Sequence, residues 1–311
     1  MNLLVFGAAI TWLKPLWIVA IMVTVALGVL FGIWFLLRLL APKVAAIAHV
    51  TTKEGLSQPL FYVLAAIGVF AILIFPFIPY NTFGEDIKML KAEGLTLIKI
   101  LAIILAVWTA SISISEEIEG KTALTLLSKP IGRRQLILGK FLGVIAPVLI
   151  MFLLLGAVFL CTVSYKVVYD ARESCLPDPT VADCQMEMMQ IVPGLALSFM
   201  EAAILASISV AISTRLPMLA NLVICVSIYV LGHLVPVLVN SALGEFAIVG
   251  FVGRFLAAVL PVLTHFGMET AISTGKAVPA SYLLATGAYT VLYCLAAMLL
   301  ALLLFEERDL A

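Results

Sequence analysis

The chain has 311 residues, of which 64% are Ala, Val, Ile, Leu, Met, Phe, Trp, Tyr or Cys and 12% are charged, with 18 basic and 18 acidic side chains and a mean hydropathy of +1.20. Soluble domains carry about 25% charged and roughly 45–50% apolar residues, so this composition excludes a soluble globular enzyme, a disordered chain and a basic nucleic-acid binder. What it describes is an all-α integral membrane protein, because the apolar runs are too long for barrel strands and lack period-2 alternation.

A bilayer core of about 30 Å needs about 20 mostly apolar residues in a helix. In chain order, runs free or nearly free of charge predict seven transmembrane helices near 15–38, 59–80, 95–115, 141–165, 190–213, 217–239 and 280–304, the third extended by Leu95–Ile98 in front of Lys99. The first run is too long for a signal h-region and no basic residue precedes Lys14, so no cleavable signal peptide is expected. It contains GVLFG (28–32), a GxxxG that either packs closely on a partner helix or occurs by chance. In the third run, Ser111, Ser113 and Ser115 alternate at i+2, do not share a helix face and support no site. Glu201 interrupts the fifth run at its middle, where an ionised side chain is costly. It either lines a translocation path or a dimer seam, or is structural, protonated or hydrogen-bonded by a group such as Ser198 or Ser227. The stretch 246–268 is apolar but broken by Arg254 and Pro261, which predicts a re-entrant or interfacial segment. No internal repeat or low-complexity linker is visible.

Lys and Arg concentrate in cytoplasmic loops. With the N-terminus outside, segments 38–58, 116–140, 214–216 and 305–311 are cytoplasmic. They hold Arg38, Lys43, Lys53, Lys121, Lys129, Arg133, Arg134, Lys140, Arg215 and Arg308. The outside receives Lys14, Lys88, Lys91, Lys99, Lys166, Arg172, Arg254 and Lys276. Ten against eight is a narrow margin, and the five basic residues between 116 and 140 are the firmer sign. Cys161, Cys225 and Cys294 fall within spans as small buried thiols. Cys175 and Cys184 share an outer loop, where they close a disulfide or remain two free thiols.

Catalytic constellations are scarce. His49, His233 and His265 form no HExxH, and no GxSxG is present. SEEIEGKT (115–122) approaches the phosphate-binding GxxxxGK[ST], but Ser115 replaces the first glycine. Glu116, Glu117 and Glu119 also stand where phosphates need backbone donors without negative charge. The chain is therefore expected not to hydrolyse ATP, and no catalytic, cofactor or metal residues are assigned.

The same loop, EEIEGKTALTLLSKPIGRRQLILGK (116–140), reads as a short, partly amphipathic helix ended at Lys129-Pro130. A new helix then starts with Gly132 as its N-cap. Such a charged helix–break–helix is either a rigid docking element or a solvated loop. It resembles the signature loop of permeases of the ATP-binding-cassette (ABC) type-2 exporter class in Glu116, Glu117, Gly120, Thr122, Leu126, Leu127, Pro130, Arg133, Arg134, Gly139 and Lys140. Gly132 departs from that pattern, which frequently has serine. VAAIAHVTTKEGLSQPLFYVL (44–64) resembles the family's interfacial connecting helix, AVLPVLTHF (258–266) its outer segment before the last span, and LLLFEERDL (302–310) its exit.

The resemblance covers 44–311 and implies a permease domain there, with 1–43 as an additional N-terminal span and linker. It implies a multi-pass permease of the plasma membrane, bacterial inner membrane in type, with the C-terminus cytoplasmic. The partners would be two copies of a separate ATPase holding ATP and magnesium, and a second permease, identical or homologous. The loop 116–140 would serve as a cytoplasmic coupling helix. Membrane lipids are partners; nucleic acid is not. The rival readings are a structural or anchoring membrane subunit and an ion-coupled secondary transporter using Glu201.

Overall fold

The computed structural model describes residues 11–78, 86–119, 132–174, 177, 179–239 and 247–306. Among these the chain forms ten α-helices and no strand. They are α1 (Trp17–Leu40), α2 (Pro42–Ser57), α3 (Pro59–Ile74), α4 (Asp86–Glu119), α5 (Arg133–Glu173), α6 (Val181–Ser213), α7 (Met218–Val239), α8 (Ala247–Val259), α9 (Glu269–Ser273) and α10 (Ala280–Glu306). Seven are long and apolar enough to cross a membrane: α1, α3, α4, α5, α6, α7 and α10. This matches the predicted all-α protein with seven spans. The segments Gly250–Val259 and Leu263–Ser273 bend by 64° across a short break at Pro261, as a re-entrant segment would.

The core lies between α4, α5 and α6. Of the residues in the most apolar stretch of α6, 78% are buried, and in that of α4 67%, against 6% in α1, whose residues are mostly exposed. A helix that is apolar all round and unburied belongs against lipid tails.

Three helices are longer than their charge-free runs. The third begins at Asp86 rather than near 95, the fourth spans Arg133–Glu173 rather than 141–165, and the fifth begins at Val181 rather than 190. A charged side chain ends a charge-free run without ending a helix if a partner neutralises it. Lys91 is buried in an ion pair with Glu187 and donates to Gln190 Oε1 at 2.7 Å. Lys166 is buried too, 2.8 Å from Asp170 and 3.7 Å from Asp86, and donates to the Pro76 carbonyl at 3.0 Å. Thr180 starts α6 with a capping box: its amide donates to Asp183 Oδ2 at 2.9 Å, and its hydroxyl accepts from the Asp183 amide at 3.4 Å.

Helix α2 lies against the start of α5. It buries Val44, Ala45, Ile47, Ala48, Thr51 and Gly55 while His49, Lys53 and Glu54 face outward. The contact is backbone-close because Gly139 and Gly143 lack side chains. A Cβ at Gly139 would stand 2.7 Å from the Ile47 Cβ, and one at Gly143 2.5 Å from the Thr51 Cβ. Gln58, extended ahead of Pro59 (φ −69°, ψ 135°), turns the chain from α2 into α3. At the far end, Cys184 is buried with its thiol 4.0 Å from the Ser164 carbonyl. Cys175, and with it the predicted disulfide, lies outside the described residues.

Candidate functional site

Glu201 on α6 is fully enclosed by this chain's own helices. Neither serine that the sequence suggested hydrogen-bonds it. Ser227 is exposed and donates to the Val223 carbonyl of its own helix. The groups facing Glu201 are charged or titratable: Lys99 of α4, 3.6 Å away, and His233 of α7, 3.4 Å away. Lys99 also bonds Glu269 of the short helix α9 at 2.5 Å. Lys99, counted in sequence among the charges on the outer side, thus sits within the bundle, 5% exposed, between two carboxylates.

Four elements meet here because four residues reach one depth. Glu201 and His233 lie 12 and 15 residues from Ser213 and Met218, the ends that α6 and α7 share at their connecting turn, about 18–22 Å along each helix at 1.5 Å per residue. Lys99 of α4 meets them at that level. Glu269 arrives from the re-entrant side. Helix α9 seats there through buried Ile272, whose Cδ1 would be 2.7 Å from a Cβ at Gly194 of α6.

The cluster holds two acids and one obligate cation. Both Glu201 oxygens are buried and lack a hydrogen-bond partner, so Lys99 and His233 act on them at ion-pair range only. His233 Nδ1 lies 3.1 Å from the Tyr229 carbonyl, which can only accept, so Nδ1 carries a proton. In a neutral ring Nε2 would then present a lone pair to a carboxylate. The contact is favourable when one more proton sits on Nε2 or on Glu201. With that proton the cluster is electrically balanced. Among the described residues no group of three or more His, Cys, Asp or Glu is placed to hold a metal ion.

Below the cluster a neutral polar knot ties the same helices. The Asn221 amide nitrogen lies 2.5 Å from the Ser111 hydroxyl and 2.8 Å from those of Ser209 and Ser213. Interhelical contacts of this kind hold membrane bundles together where the hydrophobic effect cannot. Ser111, which supported no site in sequence, is part of this joint.

The charged stretch 116–140 is entered from the end of α4 and left at the start of α5, on the side where α6 and α10 also finish. Helix α4 continues through Glu116 and Glu117, whose side chains are not described. Gly120, Thr122, Leu126, Leu127 and Pro130 fall outside the described residues. Gly132 is extended and precedes α5 as the predicted N-cap, its amide donating to Gln135 Oε1 at 3.2 Å. Arg133 and Arg134 are exposed, and the Arg133 guanidinium stands 5.9 Å from the Phe305 ring of α10. Arg215, in the α6–α7 turn, donates to the Leu304 carbonyl at 2.7 Å, capping α10. Lys140 is buried, 3.7 Å from Glu54 of α2.

Residues 73–310 match the family model described as ABC-2 family transporter protein. A comparison with curated proteins finds no match.

Proposed function

The chain belongs to the ABC-2 transporter family, and from that premise we propose that it is the membrane-spanning permease of an ATP-driven exporter. The match over most of the chain carries this reading. Permeases of this family work with ABC ATPases. Here two copies of a separate ATPase, holding ATP and magnesium, would dock on the loop 116–140, and a second permease, identical or homologous, would complete the path. Residues 44–311 are the permease unit and 1–43 an added span, a division supported by how little of α1 is buried.

The loop charges support an outside N-terminus and a cytoplasmic docking loop in the plasma membrane. Lys91, Lys99, Lys166 and Lys140 are buried and so are not loop charges. Without them the ratio sharpens from ten against eight to nine against five. Enclosure of Glu201 within one protomer favours the path over a seam between protomers. The test is purification in mild detergent, identification of what comes along, and ATP hydrolysis with and without it. Recovery of no ATPase would overturn the reading.

One observation favours a second reading. An ion-coupled transporter needs intramembrane charge pairs, and Lys99 with Glu201, His233 and Glu269 supplies them. In proteoliposomes, transport that persists without ATP and collapses with a protonophore would select it.

A further inference from the structure

We propose that the recess at the corner between α2 and α3 binds the zwitterionic phosphoethanolamine headgroup of an aminophospholipid. The turn at Gln58-Pro59 makes the two helices diverge, and they leave a cavity of about 420 Å³ against α4 and α5. Glu54, Ser57 and Gln58 line it from the corner, Ser113 from α4 and Lys140 from α5.

The lining is unusual for its unanswered polarity. Hydroxyls on membrane helices ordinarily donate back to a carbonyl one turn earlier, as those of Thr96, Thr162 and Thr290 do. Ser113, 7% exposed, does not, and its oxygen has no hydrogen-bond partner. The Gln58 Oε1 is also buried without one. Thr51 and Thr109, buried on α2 and α4, repeat the pattern. Buried polar atoms left in this state are costly unless something supplies the missing bonds.

The chemistry of the recess is two-sided. Lys140 and Ser113 can donate, which suits a phosphate; Glu54 and Gln58 Oε1 can accept, which suits a primary ammonium. The Lys140 ammonium and the Glu54 carboxylate stand 3.7 Å apart, so both charges of one short zwitterion can be met together. Glu54 repels an anion that has no ammonium, and a quaternary ammonium has no N–H to donate to it. Helix α2 packs one face on the protein and turns a mixed face outward, Lys43, His49, Lys53 and Glu54 beside exposed Ala46 and Val50, as helices at headgroup level do. That placement favours a lipid over a soluble phosphoester, and it does not depend on what the protein transports.

The test is native mass spectrometry of the full chain released from membranes of equimolar phosphatidylethanolamine, phosphatidylglycerol and phosphatidylcholine. Wild type should retain phosphatidylethanolamine severalfold over both others. Glu54→Gln should erase the preference over phosphatidylglycerol, and Ser113→Ala should lower phosphatidylethanolamine retention while leaving the thermal midpoint near wild type. Lys140→Met should lower retention of both phosphatidylethanolamine and phosphatidylglycerol. Equal retention of the three lipids by wild type overturns the proposal, as does a preference unchanged in both Glu54→Gln and Ser113→Ala. Soluble glycerophosphoethanolamine that binds while the lipids show no preference would assign the recess to a free phosphoester instead. No outcome involves an ATPase, so failure of the transport reading leaves this one standing or falling by itself.

Discussion

Lys99 faces two carboxylates, and the asymmetry of its distances, 2.5 Å to Glu269 and 3.6 Å to Glu201, sets what each substitution should do. Removing one partner of a buried ion pair costs about 3–5 kcal/mol, mostly because the other is left uncompensated. Lys99→Met strands both acids and should lower the thermal midpoint in detergent substantially. Adding Glu269→Gln to it should recover part of the loss, because one stranded charge is gone. A Lys99→Met protein as stable as wild type would mean that the acids are already protonated and that the lysine is incidental. Glu201→Gln keeps the Lys99–Glu269 bond and should fold, whereas Glu201→Leu separates the roles: normal assembly with reduced transport marks a path residue, and loss of folded protein a structural one. Of this cluster only Glu201 was legible in the sequence, because it alone breaks a long apolar run. Lys99 lies close to the end of its run and reads as a loop residue, and Glu269 lies beyond the re-entrant stretch. Glu201 and His233 share a depth measured from the turn between α6 and α7, but Lys99 and Glu269 join them only through the packing of α4 and α9, which no sequence spacing announces.

At the scale of elements, α2 and the start of α5 form one body, since two glycines let the helices meet at backbone distance. A side chain at Gly143 would also approach the Ala48 carbonyl to 2.9 Å. Such overpacking costs about 1–3 kcal/mol. Gly143→Leu should therefore lift α2 from α5, lowering the thermal midpoint and the coupling of ATP hydrolysis to transport. Gly28→Leu on α1 has nothing within 4 Å and should leave one protomer's stability unchanged; if it instead dissociates a dimer, GVLFG packs on a partner. The loop between α4 and α5 makes a separate claim. Exposed ion pairs are worth about 0–1 kcal/mol each, so one reversal at Arg133 or Arg134 is expected to be silent. Arg133→Glu with Arg134→Glu should weaken retention of the ATPase and lower transport with it. Unchanged retention would reduce the loop to a charged anchor. The seven spans were legible because run length suffices to find them. Their true ends were not, because Lys91, Lys99 and Lys166 are answered by acids that are distant in sequence or, for Asp170, by one a turn further along the same buried face.

For the whole molecule, sidedness and energy source are linked. If the ends of α4, α6 and α10 and the start of α5 face the cytoplasm, a nucleotide-binding partner can reach the loop; if they face outward, none can. The near-match to a phosphate loop at 115–122 has acids where a phosphate needs amides. The purified chain alone should therefore show no ATP turnover, and turnover lost on mutating Lys121 would refute this. Cys184 is buried and makes a poor reporter of sidedness, so reporters belong at exposed positions at either end: Lys276, between α9 and α10, and Lys53, on the outer face of α2. In a background with the five native cysteines replaced by serine, Lys276→Cys should react with a membrane-impermeant maleimide on intact cells. Lys53→Cys should react only after permeabilisation. The excess loop charge of nine against five sets this expected direction. The opposite labelling pattern would put Arg133 and Arg134 outside, where no ATPase could dock, and would remove the ATP-driven reading while leaving the family and the fold untouched.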